Sequence, residues 1–165
     1  MGKIVLKKQI VLMLIAIVLL SIAAPARADI TVFIGANTTP ANRQVRGGSL
    51  GFGVLIIGFE GEYAFTPDDP RAAAPSLKTG IANVVLQSPV PFFGIQPYFT
   101  TGGGFYQEEL GLHSDTGFAV NTGGGVKVTL AGPIRLRVDY RIFKLGSGAL
   151  YSPAHRIYAG LNLKL

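Results

Sequence analysis

The chain has 165 residues and no cysteine, which excludes a disulfide framework, a thiolate metal site and a cysteine-linked lipid anchor. Its formal net charge is +6, but four of its 15 basic residues lie within residues 1–28. Residues 29–165 contain the other eleven basic residues and nine acidic ones, so their formal net charge is only +2. This balance gives little reason to expect a nucleic-acid partner, and none is predicted.

Residues 1–28 have the pattern of a secretory signal peptide. Lysines cluster at the start, an apolar run covers 10–20, and a small-x-small triplet ends at Ala28. The alternative is an uncleaved anchor, but the apolar run is shorter than the roughly 20 residues that cross a bilayer as a helix. We therefore predict cleavage after Ala28 and a single domain over 29–165.

Beyond the signal peptide, apolar residues alternate with polar or small ones at period two, which is typical of strands. In the first predicted strand, for example, Ile30, Val32 and Ile34 share one face. The pattern predicts eight strands, over 30–35, 48–54, 57–65, 78–87, 94–106, 118–130, 134–142 and 156–165.

The last two predicted strands show the alternation best. The strand over 134–142 has apolar side chains on one face, and the other face carries Arg135, Arg137, Asp139 and Arg141. In a soluble sandwich a polar face meets water, whereas in a membrane barrel it lines the lumen and the apolar face meets lipid. Alternation alone leaves both architectures open.

The lengths of the connections favour the membrane barrel. Long segments are predicted at 37–47, 66–76, 107–116 and 145–154, and short ones at 55–56, 88–93 and 131–133. Outer-membrane barrels sort their connections in this way, with long loops outside the cell and tight turns in the periplasm. Residues 29–165 also suffice for eight strands of about 9–11 residues.

Several glycine-rich and charged segments resemble a known family. They are Gly58-Phe59-Glu60-Gly61-Glu62-Tyr63, the stretches 96–106 and 116–126, and Ile134-Arg135-Leu136-Arg137-Val138-Asp139-Tyr140-Arg141. Together with the final strand they resemble the outer-membrane β-barrel domain family, which includes the OmpA and OmpX barrels. The resemblance implies an all-β, eight-stranded, antiparallel up-and-down transmembrane barrel in the cell outer membrane, without implying one shared activity.

The same resemblance implies two partners: outer-membrane lipid around the barrel, and the barrel-insertion machinery, which reads the C-terminal strand. Barrels of this kind usually end in an aromatic residue, and this chain ends in Leu165. The apolar residues at alternate positions upstream, such as Leu161 and Leu163, are present. A ligand of the outer loops is a further possible partner, which the sequence does not identify.

A cluster of charged side chains is predicted inside the barrel. Strands three and seven face each other across an eight-stranded barrel, so their charges should meet in the lumen. The predicted cluster is structural and consists of Glu60, Glu62, Lys127, Arg135, Arg137, Asp139 and Arg141. We expect Asp139 and Arg141 to lie one layer above the rest, with Asn162 in the lower layer. Because paired charges fill so narrow a lumen, we interpret the cluster as a plug; the alternative is a gated pore or ligand site.

No catalytic, cofactor-binding or metal-binding residue is predicted. The glycine runs 101–104 and 122–125 lack the Lys-Ser/Thr of a phosphate-binding loop and indicate strand curvature instead. His113 and His155 are predicted in outer loops, and His113-Ser114-Asp115 cannot form a triad from consecutive loop residues. The acidic cluster around His113, with Glu108, Glu109 and Asp115, lacks a metal-ligand spacing and is predicted to be a solvated loop.

We therefore predict a non-enzymatic outer-membrane barrel with a plugged polar lumen. Its role would be structural, in envelope integrity, or binding, through its outer loops. One alternative is a soluble periplasmic barrel that binds a lipid or other apolar ligand. In that barrel the charged side chains would point to water and the apolar side chains would point inward. The other is a lipid-modifying outer-membrane enzyme.

Overall fold

A computed structural model describes residues 27–165. The predicted signal peptide, apart from its last two residues, lies outside this range, and so does its apolar run. Within the described range no helix is long and apolar enough to cross a membrane.

Eight antiparallel strands form a closed barrel in which each strand pairs with its neighbours in sequence, and the first pairs with the last. This confirms the predicted up-and-down barrel. One turn of 3₁₀ helix, Pro70–Ala72, lies between the third and fourth strands. The strands are β1 (Arg27–Asn37), β2 (Arg43–Val54), β3 (Ile57–Thr66), β4 (Ser76–Gln87), β5 (Ile95–Leu110), β6 (His113–Ala131), β7 (Ile134–Lys144) and β8 (Ala154–Lys164).

Side chains alternate between the outside and the lumen along every strand. The outward positions are largely apolar, as at Val32 and Leu50, whose side chains remain 61% and 65% exposed. The inward positions include buried charges, among them Arg137 and Glu62. The soluble-barrel alternative requires the opposite facing, with apolar side chains inside and charges outside.

The connections fall into two sets, at opposite ends of the barrel. The turn end carries 55–56, 88–94 and 132–133, and the loop end carries 38–42, 67–75, 111–112 and 145–153. One predicted loop was wrong, because 107–116 is mostly strand closed by a two-residue turn at Gly111, where φ is +59°. The first loop is also shorter than predicted, since β2 begins at Arg43.

The error at 107–116 has a physical cause. Polar residues there continue the strand alternation, with Tyr106 and Glu108 buried in the lumen. A lumen that accepts polar side chains removes the compositional difference between strand and loop. His113 and His155 therefore lie in β6 and β8, not in outer loops.

Two glycines show how the strands approach each other. A Cβ at Gly104 would lie 2.0 Å from the carbonyl oxygen of Gly80, and one at Gly125 would lie 2.1 Å from that of Val138. The Cβ at Gly125 would also come within 2.6 Å of the Tyr98 hydroxyl. Glycine here permits close backbone packing and leaves room for a tyrosine in the lumen.

Candidate functional site

Arg137 is the centre of the charged lumen. Its guanidinium is completely buried and pairs with Glu60 on β3, directly across the barrel. Its Nη2 also donates to Asp139 at 3.0 Å, and its Nε donates to the Tyr98 hydroxyl at 2.7 Å. A planar, five-donor cation suits such a site because it can bind several oxygens in fixed directions.

A second layer, nearer the loop end, is organised by Arg141. Its Nη2 donates to Glu60 at 2.9 Å, its Nε donates to Asp139 at 2.9 Å, and its Nη1 lies 3.1 Å from Glu62. Arg156 on β8 donates to Glu62 at 3.2 Å. The carboxylates of β3 are thus shared among arginines of β7 and β8.

A third group of charges lies toward the turn end, around Asp29 of β1. Lys127 Nζ donates to the Asp29 carboxylate at 2.7 Å, and Arg135 donates to the same oxygen at 3.1 Å. Arg135 also donates to Asn162 and Gln96. A cavity of about 120 Å³ at the turn end is lined by Asp29, Lys127 and Arg135, so the packed part of the lumen lies above this group.

Two tyrosines complete the packing around the arginines. The guanidinium carbon of Arg137 lies 4.9 Å from the ring centroid of Tyr98 and 5.8 Å from that of Tyr158. The Tyr158 ring in turn stacks on Phe33, with centroids 4.0 Å apart. Aromatic faces stabilise cations that have been removed from water, so the two tyrosine rings stabilise the Arg137 guanidinium as well as filling space around it.

All seven residues of the predicted cluster face the lumen, but they do not form the two layers that were expected. Glu60 lies in one network with Arg137, Asp139 and Arg141. Lys127 and Arg135 instead form the separate group around Asp29.

The sequence-based prediction missed Asp29, Arg156 and the two tyrosines. Arg156 and Tyr158 could have been found, since they share the polar face of β8 with Asn162. Asp29 gave no comparable signal, because it directly follows the predicted cleavage site.

A buried acidic group occupies the loop end. The Glu108 carboxylate, 1% exposed, accepts the backbone N–H of Leu150 at 2.6 Å and lies 3.1 Å from Nε2 of His113. Tyr106 donates to Asp115 beside it. The predicted solvated acidic loop was therefore wrong at Glu108, which ties the 145–153 loop to β5.

This arrangement is not that of a catalytic triad or a metal centre. His113 contacts Glu108, while Ser114 is exposed on the other face of β6. In the described part of the chain, no group of three or more His, Asp or Glu side chains could hold a metal ion. Apolar residues pack beneath the loop, including Leu77, Phe143 and Leu145.

No family model matches the chain, and neither does any curated protein. Solved structures do share its fold. The N-terminal β-barrel domain of Pseudomonas aeruginosa OprF is 14% identical, with a TM-score of 0.64 over 84% of this chain and 97% of that domain. Neisserial surface protein A is 14% identical, with a TM-score of 0.60 over 85% of this chain and 94% of that one.

Ail of Yersinia pestis is 12% identical, with a TM-score of 0.54 over 86% of this chain and 99% of that one. These likenesses are of fold. The chain has the fold of the small eight-stranded outer-membrane barrels, the class that the sequence resemblance implied.

Proposed function

We propose that this protein is an outer-membrane β-barrel with a closed lumen, which contributes to envelope integrity or presents its loop end for surface contacts. The observation that carries the proposal is the facing of its side chains. Apolar residues lie outside, as at Val32 and Leu161, while Arg137 and Arg141 are completely buried. Lipid is the solvent that matches such an exterior.

Exposed aromatic side chains support the same proposal, because membrane barrels place aromatic residues at both interfaces. Toward the loop end, the rings of Phe105 and Phe118 pack edge to face with centroids 6.1 Å apart. Toward the turn end, Phe52 and Phe59 lie 5.5 Å apart. All four are about half exposed or more.

The closed lumen is proposed from the ion-pair network. The interior of an eight-stranded barrel is just wide enough for side chains to fill it. Here Arg137 and Arg141 of β7 both pair with Glu60 on the opposite wall. Opening a path through this layer would separate buried charges, which is strongly unfavourable.

The membrane assignment is tested by fractionating cells that produce the protein and by heat-modifiable migration on a denaturing gel. We expect the native protein in the outer-membrane fraction and a faster-migrating band before boiling. Recovery as a detergent-free soluble protein in the periplasmic fraction would contradict the assignment.

Two further measurements test the rest of the proposal. In planar bilayers we expect the purified protein to give no stepwise ion currents, because the charged layer blocks the lumen; regular current steps would contradict closure. Lipid A incubated with the folded protein should be recovered unchanged. Loss of an acyl chain in that assay would instead favour the lipid-modifying enzyme.

A further inference from the structure

A shallow apolar groove of about 790 Å³ crosses the outer face of β1–β6. Its floor is made of small outward residues on adjacent strands, including Gly61, Gly80 and Ala82. A Cβ added at Gly61 or Gly80 would meet nothing within 4 Å, so the groove is open space rather than close packing. Leu50 and Phe105, both about two-thirds exposed, also line it.

Two cations lie at the end of this groove nearest the loops. Arg46 on β2 and Lys78 on β4 both pair in register with Phe65 on β3. Their Cα atoms are therefore two strand spacings apart, about 10 Å. Both point outward, since their neighbours Val45 and Thr79 are buried inside. The next outward row toward the turn end, through Tyr63, is the start of the groove.

The charges of this pair are available to a ligand. Arg46 is exposed and lies over the Phe65 ring, 5.8 Å from its centroid. Within residues 27–165, neither Arg46 nor Lys78 forms an ion pair with a carboxylate. Two long, flexible cations about 10 Å apart can converge on one phosphate between them.

The geometry points to a binding site for one phosphorylated, acylated lipid of the leaflet at the loop end. Its phosphate lies between Arg46 and Lys78, and an acyl chain lies along the groove over Gly80 and Gly61. The site rests on the proposed function, because only a barrel in a membrane presents this face to lipid. Cations near the headgroup level attract anionic lipids, and the adjoining apolar groove selects a ligand that also carries a chain.

The test compares the wild-type protein in vesicles of phosphatidylcholine with and without a minor fraction of phosphatidic acid. Lipid that remains bound after detergent extraction is identified by native mass spectrometry. We expect the wild type to retain phosphatidic acid selectively, and R46Q with K78Q to retain roughly tenfold less. K144Q is the matched control, since Lys144 is an exposed cation at the loop end of β7, across the barrel.

A second variant tests the groove itself. Gly61→Val with Gly80→Val should fold normally, because the added atoms enter open space and valine suits a strand. We expect it to migrate like the wild type before boiling and to lose the retained phosphatidic acid. Retention equal to the wild type in this variant, or in the double glutamine variant, would overturn the site. Displacement of the lipid by glycerol phosphate alone would overturn it too, by showing a site for free phosphate.

Insertion into phosphatidylcholine alone separates the two proposals. A wild-type protein that inserts without retaining phosphatidic acid leaves the proposed function standing and overturns the site. A wild-type protein that fails to insert contradicts the proposed function, and with it the premise of the site.

Discussion

Arg137 connects three strands through a single side chain. It bonds to Glu60 on β3, Tyr98 on β5 and its own neighbour Asp139 on β7. Each of these oxygens has lost water, and the guanidinium replaces several of the lost hydrogen bonds at once. The loss of stability on removing Arg137 comes mainly from the buried carboxylates left behind, and less from the strength of the Arg137–Glu60 ion pair itself.

We expect Arg137→Ala to lower the free energy of unfolding by about 3–5 kcal/mol, because Glu60 and Asp139 would stay buried with Arg141 as the one arginine still donating to both. Urea titration of the barrel folded in vesicles measures the change. Arg71→Ala is the control, since Arg71 is exposed in the 3₁₀ turn and should alter stability by less than about 0.5 kcal/mol. Equal stability of the two variants would show that the network does not hold the barrel together.

The positions of some residues in this network can be predicted from the sequence, and those of others cannot. Alternation and strand number place Glu60 and Arg137 on facing walls of the lumen, since β3 and β7 are opposite in any eight-stranded barrel, and the register then decides that they pair. Tyr98 cannot be placed in this way. Its hydroxyl reaches Arg137 only because Gly125 on the adjacent strand has no side chain, which is a matter of register.

At the scale of elements, the β5–β6 hairpin departs most from expectation. It extends past the other strands at the loop end and closes with a two-residue turn. Its inward residues bind the neighbouring loop: Glu108 accepts the N–H of Leu150, and Tyr106 packs against the loop at Gly146. The hairpin thus serves as the wall on which the 145–153 loop is fixed.

We expect Glu108→Ala to release this loop, because the Leu150 N–H would lose a charged acceptor. Hydrogen bonds to charged groups contribute about 1.5–3 kcal/mol, so cleavage within 145–153 by proteinase K should become roughly tenfold faster or more. Mass spectrometry of the fragments measures the rate at this loop. Glu109→Ala, at the exposed neighbouring position, should leave the rate unchanged; similar rates in both variants would mean that Glu108 does not anchor the loop.

The number of elements followed from the sequence, but their ends did not. Eight alternating segments predicted eight strands, and eight are present. Strand ends were misplaced at 107–116 and at Arg43, where polar residues resemble a loop by composition. In the closed barrel these residues lie inside, where Arg43 and Glu108 find backbone partners from the loops.

The whole molecule has the polarity expected of a protein whose solvent is lipid. Its outward band includes Val32, Leu50 and Leu161, all more than half exposed. Its centre is a network of ion pairs, whereas hydrophobic side chains normally fill the interior of a soluble protein. Closure of β1 on β8 pairs both edge strands, which satisfies the backbone without water.

We expect Leu161→Arg to disfavour insertion into lipid vesicles by about 2–4 kcal/mol, the cost of a cation on the lipid face near the midplane. The folded fraction at equilibrium in a urea titration with vesicles measures it. Leu112→Arg makes the same exchange at the tip of the β5–β6 hairpin, outside the apolar band, and should have little effect. An equal loss of folding in both variants would contradict the assigned lipid-facing band.

The sequence by itself determined the all-β architecture, the strand number and which face of each strand is polar, because alternation at period two is a local property of the chain. Only the tertiary structure decided which side of the sheet faces inward and which charges meet. Closure sets the register, and register places Asp29 with Lys127 and Glu60 with Arg137. Such pairs join residues about 80 to 100 positions apart, a relationship that no local pattern carries.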